Sequence, residues 1–246
     1  MPSPIQKRLS ELLRARRSVR DFRPEQIPLE VLDAVLADAN CSPSWSNTQP
    51  YRIAIASGEL KEKLARELTA RYDAASGALA GGVVGKLKAF VTRDGMPDGD
   101  FKVNFKYPTD LVSRRRATGF GLYKLLGIDR YDHDARNAQM RKNFEFFGAP
   151  VAIFLFVHRG LHEYSVLDAG IFLQSLMLSA QANGLATCAQ GALATWAGPV
   201  RAAFTIPDQY KLLCGLSIGY ASDHRVNQFN PGRGEVADLI FPERGR

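Results

Sequence analysis

The stretch Val151-Ala152-Ile153-Phe154-Leu155-Phe156-Val157 is a continuous apolar run of strand-forming residues in the second half of the chain. Successive side chains of a strand point to opposite faces of a sheet, and here the residues for both faces are apolar. Strands with this composition are typical of the interior of a sheet. The run therefore predicts a central strand, and we expect the core sheet to pass through it.

The chain before this strand has the periodicities of three helices and one strand. Apolar residues at positions 5, 9, 12 and 13 recur with helical spacing, which predicts a first helix with one buried face. Pro28 opens a second helix, and Ser57 can cap a third. Between them, the alternating segment Tyr51-Arg52-Ile53-Ala54-Ile55 predicts a strand. We therefore expect the order helix, helix, strand, helix.

Two further elements and a tail follow the central strand. Residues 165–183 predict a long helix that is apolar on nearly every side and must be buried, with Gly184 at its end. Residues 212–220 predict another strand. The tail, residues 222–246, is polar as far as Arg233 and ends in a short apolar run. We interpret it as a C-terminal arm with a strand at its end.

Residues 77–135 are only weakly periodic and are rich in glycine and aromatic residues. A segment of this length inside a compact domain is usually functional or mobile. We interpret it as an insertion, or lid, that covers a site and contains a helix at about residues 111–126. The alternative is a surface excursion that packs its own aromatic side chains.

The composition predicts one globular domain spanning residues 1–246. The chain is 46% hydrophobic and 23% charged, which allows a substantial core. A net charge of +7 suits anionic ligands, whereas the dispersed basic residues and the lack of a reading motif argue against nucleic acid. No segment resembles a signal peptide or a membrane span, so we expect no contact with a membrane.

Cysteine and histidine usage argues against a metal centre. Cys41, Cys188 and Cys214 are too few and too scattered for a disulfide framework or a metal clip, and they make a cytoplasmic location the expected one. His158 and His162 are spaced i, i+4 but lack a set of carboxylate partners. We therefore expect no bound metal.

The basic run Arg14-Ala15-Arg16-Arg17-Ser18-Val19-Arg20 follows the first helical segment directly, and Arg233 stands near the other end of the chain. Guanidinium groups bind phosphate in bidentate fashion, and a serine hydroxyl adds a donor. The run and Arg233 therefore suggest a phosphate site closed by both ends of one domain. A solvated basic helix end is an alternative that the run alone leaves open.

Four motifs, in the family's order and spread over nearly the whole chain, make this sequence resemble the flavin-dependent nitroreductases. They are Arg16-Arg17-Ser18-Val19-Arg20-Asp21-Phe22, Ser42-Pro43-Ser44-Trp45-Ser46-Asn47-Thr48-Gln49-Pro50-Tyr51, Gly184-Leu185-Ala186-Thr187-Cys188-Ala189-Gln190-Gly191-Ala192 and Asn230-Pro231-Gly232-Arg233. Residues 113–120 and 141–144 resemble the branch that includes the nitrobenzoate and nitrobenzene reductases.

The resemblance implies an α+β, nitroreductase-like three-layer fold with a central mixed, mainly antiparallel sheet flanked by helices. It also implies an intertwined homodimer in which each subunit contributes to two FMN sites. NADH or NADPH would reduce the flavin, and a small nitroaromatic substrate would then take two electrons per visit by ping-pong exchange. No side chain is expected to act as a general acid or base.

The same resemblance assigns roles to individual residues. The phosphate and ribityl end of FMN would be bound by Arg16, Arg17, Ser18 and Arg233. Arg20 would reach the pyrimidine edge of the isoalloxazine and stabilise negative charge there after reduction. The flavin bound mainly by the other subunit would be contacted by Pro43, Ser44, Trp45, Ser46 and Asn47. Gln190 and Gly191 would lie beside flavin N5, where a backbone N–H can donate a hydrogen bond. The substrate pocket would be lined by Trp45, Phe120 and Tyr123.

Two alternatives stay open at this point. The same flavin chemistry could act on another substrate, by dehalogenation, ene reduction, or oxidation of a heterocycle or an amide. The protein could instead bind flavin without catalysis. Likeness of fold alone does not choose between these functions.

Overall fold

The computed structural model describes residues 4–82, 95–101 and 107–244 of the chain. Its helices and strands, in order, are α1 (Pro4–Ala15), α2 (Leu29–Asn40), β1 (Tyr51–Ser57), α3 (Gly58–Ala80), α4 (Thr109–Leu126), α5 (His133–Arg141), β2 (Val151–His158), α6 (His162–Ala182), β3 (Ala186–Gln190), α7 (Ala197–Ala203) and β4 (Tyr210–Gly219). None of the helices in these ranges is long and apolar enough to cross a membrane.

The four strands form one sheet in the order β1-β2-β4-β3, with every neighbouring pair antiparallel. Strand β2 lies inside the sheet, as its apolar run predicts. Opposite the step from Leu155 to Phe156 the register shifts, so that Leu213 of β4 forms a bulge. One parallel contact joins the sheet in the described chain, an isolated bridge between Ser18 and Thr187 of β3. The mainly antiparallel sheet is confirmed.

The side chains of β2 fill two separate cores on opposite faces of the sheet. Ala152, Phe154 and Phe156 pack on the face covered by α3. The odd-numbered residues 151–157 pack on the other face, against α2 and α6. Because both faces are covered by helices, every residue from Val151 to Val157 is buried and apolar, and the partly exposed His158 ends the strand. This arrangement confirms the expected three-layer α+β fold.

Two aspartates attach residues 95–101, part of the expected insertion at 77–135, to the end of the sheet. The Asp98 carboxylate accepts a hydrogen bond from the backbone N–H of Gly198 at 3.2 Å. Asp100 accepts from the Arg201 guanidinium at 2.8 Å and from the backbone N–H of Leu212 at 2.6 Å. The expected helix near residues 111–126 is confirmed as α4. Residues 83–94 and 102–106 of the insertion lie outside the described residues, and its role as a lid stays a prediction.

Two expectations about the ends of the chain are wrong for a single chain. The apolar stripe of α1 is not buried, since Ile5, Leu9 and Leu13 are 80%, 51% and 47% exposed. The arm ends in a short 3₁₀ turn at Val236–Leu239 and not in a strand. A strand needs a neighbour to take up its backbone hydrogen bonds, and the arm has none in the described part of one chain.

We predict that Leu155→Ala lowers the free energy of unfolding by about 2–5 kcal/mol, because the truncated side chain leaves a cavity between the sheet, α2 and α6. Urea denaturation at fixed protein concentration measures this change. Leu79→Ala is the matched control, since Leu79 is 70% exposed at the end of α3. It should change the free energy of unfolding by less than about 0.5 kcal/mol. Equal losses in the two variants would contradict the central position of β2.

Candidate active site

The basic run Arg14–Arg20, called the arginine run from here on, leaves α1 after Ala15 and then passes beside β3. Ser18 and Thr187 form a parallel bridge, and the backbone N–H of Val19 donates to the Thr187 carbonyl at 3.0 Å. Strand β3 ends at Gln190, the first residue of the pair expected beside the flavin ring. The fold therefore places two of the four sequence motifs side by side.

The positive charge of this run is not neutralised by a carboxylate. In the described ranges, no ion pair involves Arg16, Arg17 or Arg20. Asp21, the adjacent acidic residue, accepts a hydrogen bond from the Ser222 hydroxyl at 2.5 Å. The three guanidinium groups therefore offer uncompensated positive charge to an anion.

The thiol of Cys188 shows how close two of these arginines are to β3. Burial raises the pKa of Cys188 to about 11, and the charges of Arg20 and then Arg16 oppose that shift. The thiol is therefore protonated at neutral pH and is a packing group. It is not a candidate nucleophile, because the thiolate is the reactive form.

Asn227 is a residue of this site that sequence reasoning missed. Its side chain is 8% exposed, and its amide oxygen accepts from the backbone N–H of Arg20 at 2.8 Å. Its amide nitrogen donates to the carbonyls of Asp21 at 2.7 Å and Ser222 at 3.0 Å. Its own carbonyl accepts from Arg17 Nη1 at 3.1 Å. No local pattern marks Asn227, because all of its partners in the arginine run lie about two hundred positions away along the chain.

Gln190 and Gly191 present backbone, and no long side chain, to the outside. The Gln190 side chain is buried: its Oε1 accepts from the Ser217 hydroxyl at 2.5 Å, and its Nε2 donates to the Asn143 carbonyl at 2.9 Å. Gly191 is exposed, and a Cβ added there would meet no atom within 4 Å. The chain is therefore open above Gly191, and a planar ligand can approach its backbone closely.

A strained turn, which contains Phe146 and Phe147, accepts hydrogen bonds both from Phe22, just after the arginine run, and from Gln190. Phe146 and Phe147 both have φ of +54°, which is unfavourable for bulky residues. The Phe147 carbonyl accepts from the backbone N–H of Phe22 at 3.1 Å, while Asn143 in the same turn accepts from Gln190. A strained backbone conformation of this kind is kept only where contacts with the surrounding structure hold it in place. Such conformations cluster at functional sites.

The loop expected to contact a second flavin is also strained. Ser46, Asn47 and Gln49 have φ of +49°, +55° and +46°, in the left-handed region. The Ser44 hydroxyl oxygen accepts from the backbone N–H of Gln49 at 2.9 Å and closes the turn. Pro43 is exposed at its start. Three left-handed residues in so short a segment give the loop one specific shape.

Trp45 in this loop is attached to α6 by both its backbone and its ring. Its backbone N–H donates to Asp168 Oδ2 at 3.0 Å, and its ring centroid lies 4.0 Å from that of Tyr164. The charge of Asp168 also acts on Tyr51: burial, and then this charge, raise the pKa of the Tyr51 hydroxyl. Neither Tyr164 nor Asp168 was predicted from the sequence, which shows α6 as a mainly apolar helix.

The loop and the arginine run lie on opposite faces of the sheet. Val19 of the run, and Phe22 just after it, pack in the core on the α3 face. The loop is attached to α6, which covers the other face. A single chain therefore does not bring residues 43–47 together with residues 16–20, as the expectation of two half-sites per subunit requires.

Arg233 is not brought to the arginine run within the described chain. It lies in the exposed arm, where its Nη1 donates to the Gly232 carbonyl at 2.5 Å. Its neighbour Gly234 lies beside α4, since a Cβ added there would be 3.7 Å from Arg114 Nη2. Its assignment to a phosphate stays a prediction.

The two aromatic residues predicted on α4 have different surroundings. Phe120 is 55% exposed and free to contact a ligand. The ring of Tyr123 is covered by Arg136, whose guanidinium carbon lies 5.2 Å from the ring centroid. Helix α4 packs on the segment after Asn227, because a Cβ on Gly121 would lie 3.0 Å from the Phe229 ring. Both residues therefore lie on a helix that packs against Phe229, two positions after Asn227.

Comparisons with known proteins agree with this geometry. Nitroreductase NfnB of Mycolicibacterium smegmatis is 34% identical over 212 residues, which cover 86% of this chain and 82% of the relative. A 4-nitrobenzoate reductase of Nocardioides sp. is 33% identical over 211 residues, which cover 85% of this chain and 78% of the relative. The crystal structure of the FMN-dependent nitroreductase NfnB from Mycobacterium smegmatis in complex with NADPH aligns with a TM-score of 0.83 at 31% identity, covering 98% of this chain and 100% of that chain.

A family profile described as the Nitroreductase family matches residues 13–220. That range contains three of the four motifs and all four strands of the sheet. The chain belongs to the nitroreductase family.

Proposed function

We propose that this protein is an FMN-dependent oxidoreductase that passes hydride from NADH or NADPH to nitroaromatic compounds. The observation that carries the proposal is the uncompensated arginine run held against β3, the strand that is followed by the open backbone of Gly191. The names of the relatives support it, since one is a 4-nitrobenzoate reductase and another an FMN-dependent nitroreductase crystallised with NADPH.

The donor set of this site fits the two ends of FMN. Arg16, Arg17 and Ser18 supply cationic and neutral donors for a phosphate. Arg20 is fixed in the run because its Nη1 donates to the Ser18 carbonyl at 3.2 Å. Its charge suits the pyrimidine edge of a flavin, which becomes negative on reduction. When bound, FMN supplies the acceptor and donor of hydride.

The surface formed by the backbone of Gln190 and Gly191 suits the ring of a flavin. The inward Gln190 side chain leaves only backbone at this surface, so that the Gly191 N–H can serve as a donor to N5. Because the Gln190 side chain is bonded inside the protein, it does not occupy the space that a flat ring needs above Gly191. The chain contributes orientation and charge, and it needs no acid or base of its own.

We infer a homodimer from the apolar surface that a single chain leaves exposed. Leu9 of α1, Leu167 of α6 and Phe241 of the arm are 51%, 58% and 95% exposed. Strand β1 has a free outer edge in the described chain, beside a cavity of about 520 Å³ lined by Ile53, Ile55 and Phe204, among others. An arm from a second copy suits this edge, and it would supply the strand that one chain lacks. A cytoplasmic location stays a prediction from the three free thiols.

We predict that the purified protein has a flavin spectrum, that the released cofactor is FMN, and that anaerobic NADH or NADPH bleaches it. Adding 4-nitrobenzoate should restore the oxidised spectrum, because the reduced flavin passes its electrons to the nitro group. Anaerobic visible spectroscopy measures each step. A flavin that bleaches but ignores every nitroaromatic compound would favour another substrate for the same chemistry. A flavin that is not bleached would favour a carrier, and no flavin affinity at all would refute the proposal.

Arg20→Ala should retain part of the FMN but slow its reduction, on the order of 10²-fold, because the charge that stabilises the reduced flavin is removed. Stopped-flow absorbance in the flavin band gives this rate. Arg23→Ala is the matched control, since Arg23 is an exposed arginine of the same segment that pairs with Glu25 at 3.3 Å. It should bind and reduce flavin as the parent protein does. Identical rates in the two variants would show that Arg20 has no part in the site.

Light scattering should give a mass of twice the 27.1 kDa chain. Phe241→Asp should weaken the dimer and lower FMN affinity in parallel, because it puts a charge where we infer a buried contact. Leu79→Asp, at an exposed position on α3, is the control and should leave both properties unchanged. A monomer that still holds FMN tightly would contradict the shared site.

A further inference from the structure

The side chain of Trp45 is half exposed and yet held in place. It is 50% exposed, as is Tyr164, and their ring centroids are only 4.0 Å apart with an angle of 46° between the ring planes. Aromatic pairs at this separation attract each other beyond the burial of their surface. Two large rings that support each other while each stays half open to solvent form a surface suited to contact with a third ring.

One turn of α6 holds both the backbone and the ring of Trp45. Asp168 accepts a hydrogen bond from the Trp45 backbone N–H at 3.0 Å and is itself only 3% exposed. Tyr164 and Asp168 are separated by four positions, so they lie on the same side of the helix. A buried carboxylate is unfavourable unless it has a specific partner, and the Trp45 N–H is that partner.

The backbone on the C-terminal side of Trp45 is a second, independent observation. Ser46 and Asn47 follow it directly in the left-handed region, with φ of +49° and +55°. Residues other than glycine rarely adopt this conformation, and strained backbone of this kind clusters at ligand sites. A side chain fixed in this way loses little conformational entropy when a ligand binds.

We propose that Tyr164 and Asp168 hold Trp45 as a preformed platform that stacks on the flat, electron-poor ring of a nitroaromatic substrate. The face of an indole carries negative charge density, which complements a ring whose electrons are withdrawn by a nitro group. This inference rests on the proposed function, and it identifies what selects the substrate. Tyr164 is a positioning residue in this proposal, since it acts through Trp45.

The chain offers a direct readout for this platform, because it has two tryptophans and the other one, Trp196, is 3% exposed. Titrating the flavin-free full-length protein with 4-nitrobenzoate should quench the fluorescence of Trp45 with a saturable curve. Trp45→Phe should abolish this saturable component. Because no flavin takes part, the titration is independent of hydride transfer.

Tyr164→Ala should raise the dissociation constant from this titration roughly three- to tenfold, the factor that one aromatic pair contributes. Tyr164→Phe keeps the ring and should bind as the parent protein does. Tyr131→Ala is the matched control, since Tyr131 is an exposed tyrosine, 73% accessible, outside α6. In the FMN-loaded enzyme, Tyr164→Ala should raise KM for 4-nitrobenzoate by the same factor while leaving kcat unchanged.

Three results would overturn the platform. They are quenching that rises linearly without saturation in the parent protein, equal dissociation constants for the parent and Tyr164→Ala, and a loss in Tyr164→Phe as large as that in Tyr164→Ala. Saturable quenching that responds to Tyr164→Ala, combined with a flavin that nitroaromatics do not reoxidise, would refute the proposed function and not the platform. Circular dichroism of each variant checks its folding.

Discussion

The position of the arginine run against β3 depends on one buried amide, that of Asn227. Its oxygen accepts from the backbone N–H of Arg20, and its nitrogen donates to the carbonyl of Asp21, which also accepts from the backbone N–H of Ser222. An unsatisfied buried backbone group costs about 1–3 kcal/mol, so the Asn227 side chain strongly favours a single conformation of this segment. The positions of Arg17, Ser18 and Arg20, for which we propose contacts with FMN, all depend on that conformation. The C-terminal half of the domain thereby fixes a site built mainly from the N-terminal residues.

A comparable dependence links α6 to the strained loop. Three of the polar residues of this helix, at positions 168, 175 and 179, form hydrogen bonds with α2 or with the segment that follows α2. Ser175 accepts from the Ser42 hydroxyl at 2.8 Å, and Ser179 donates to Asp38 at 2.5 Å. Their spacing of seven and four residues puts them in one stripe along the helix. The stripe aligns the end of α2 and the loop with a helix whose Ala169, Phe172 and Leu176 are packed in the core.

The sequence predicts well those features that a local pattern records. The apolar run of β2 marked the centre of the sheet, and the motifs at residues 16–22 and 184–192 marked segments that the fold brings together. Asn227 and Asp168 had no such signal, because their partners are chosen by topology over long sequence distances. The inward direction of the Gln190 side chain also could not be predicted from the sequence, because it depends on Ser217 in the neighbouring strand. The apolar stripe of α1 indicated a helix correctly, but a pattern cannot say which surface covers it.

The burial of Gln190 has a consequence for how members of such a family can diverge. A side chain without an acceptor at this position would remove the partner of the Ser217 hydroxyl. A side chain without a donor would remove one of two hydrogen bonds to the Asn143 carbonyl, which also accepts from the backbone N–H of Phe146 at 3.2 Å. A change at Gln190 therefore disturbs two other segments of the chain. In the described part of the chain, Phe120 on the exposed face of α4 is 55% exposed and lies outside this network of hydrogen bonds. Substitutions at this surface can therefore change substrate contacts without disturbing the residues expected to bind flavin. The fold thereby separates residues constrained by buried hydrogen bonds from exposed residues that are free to vary.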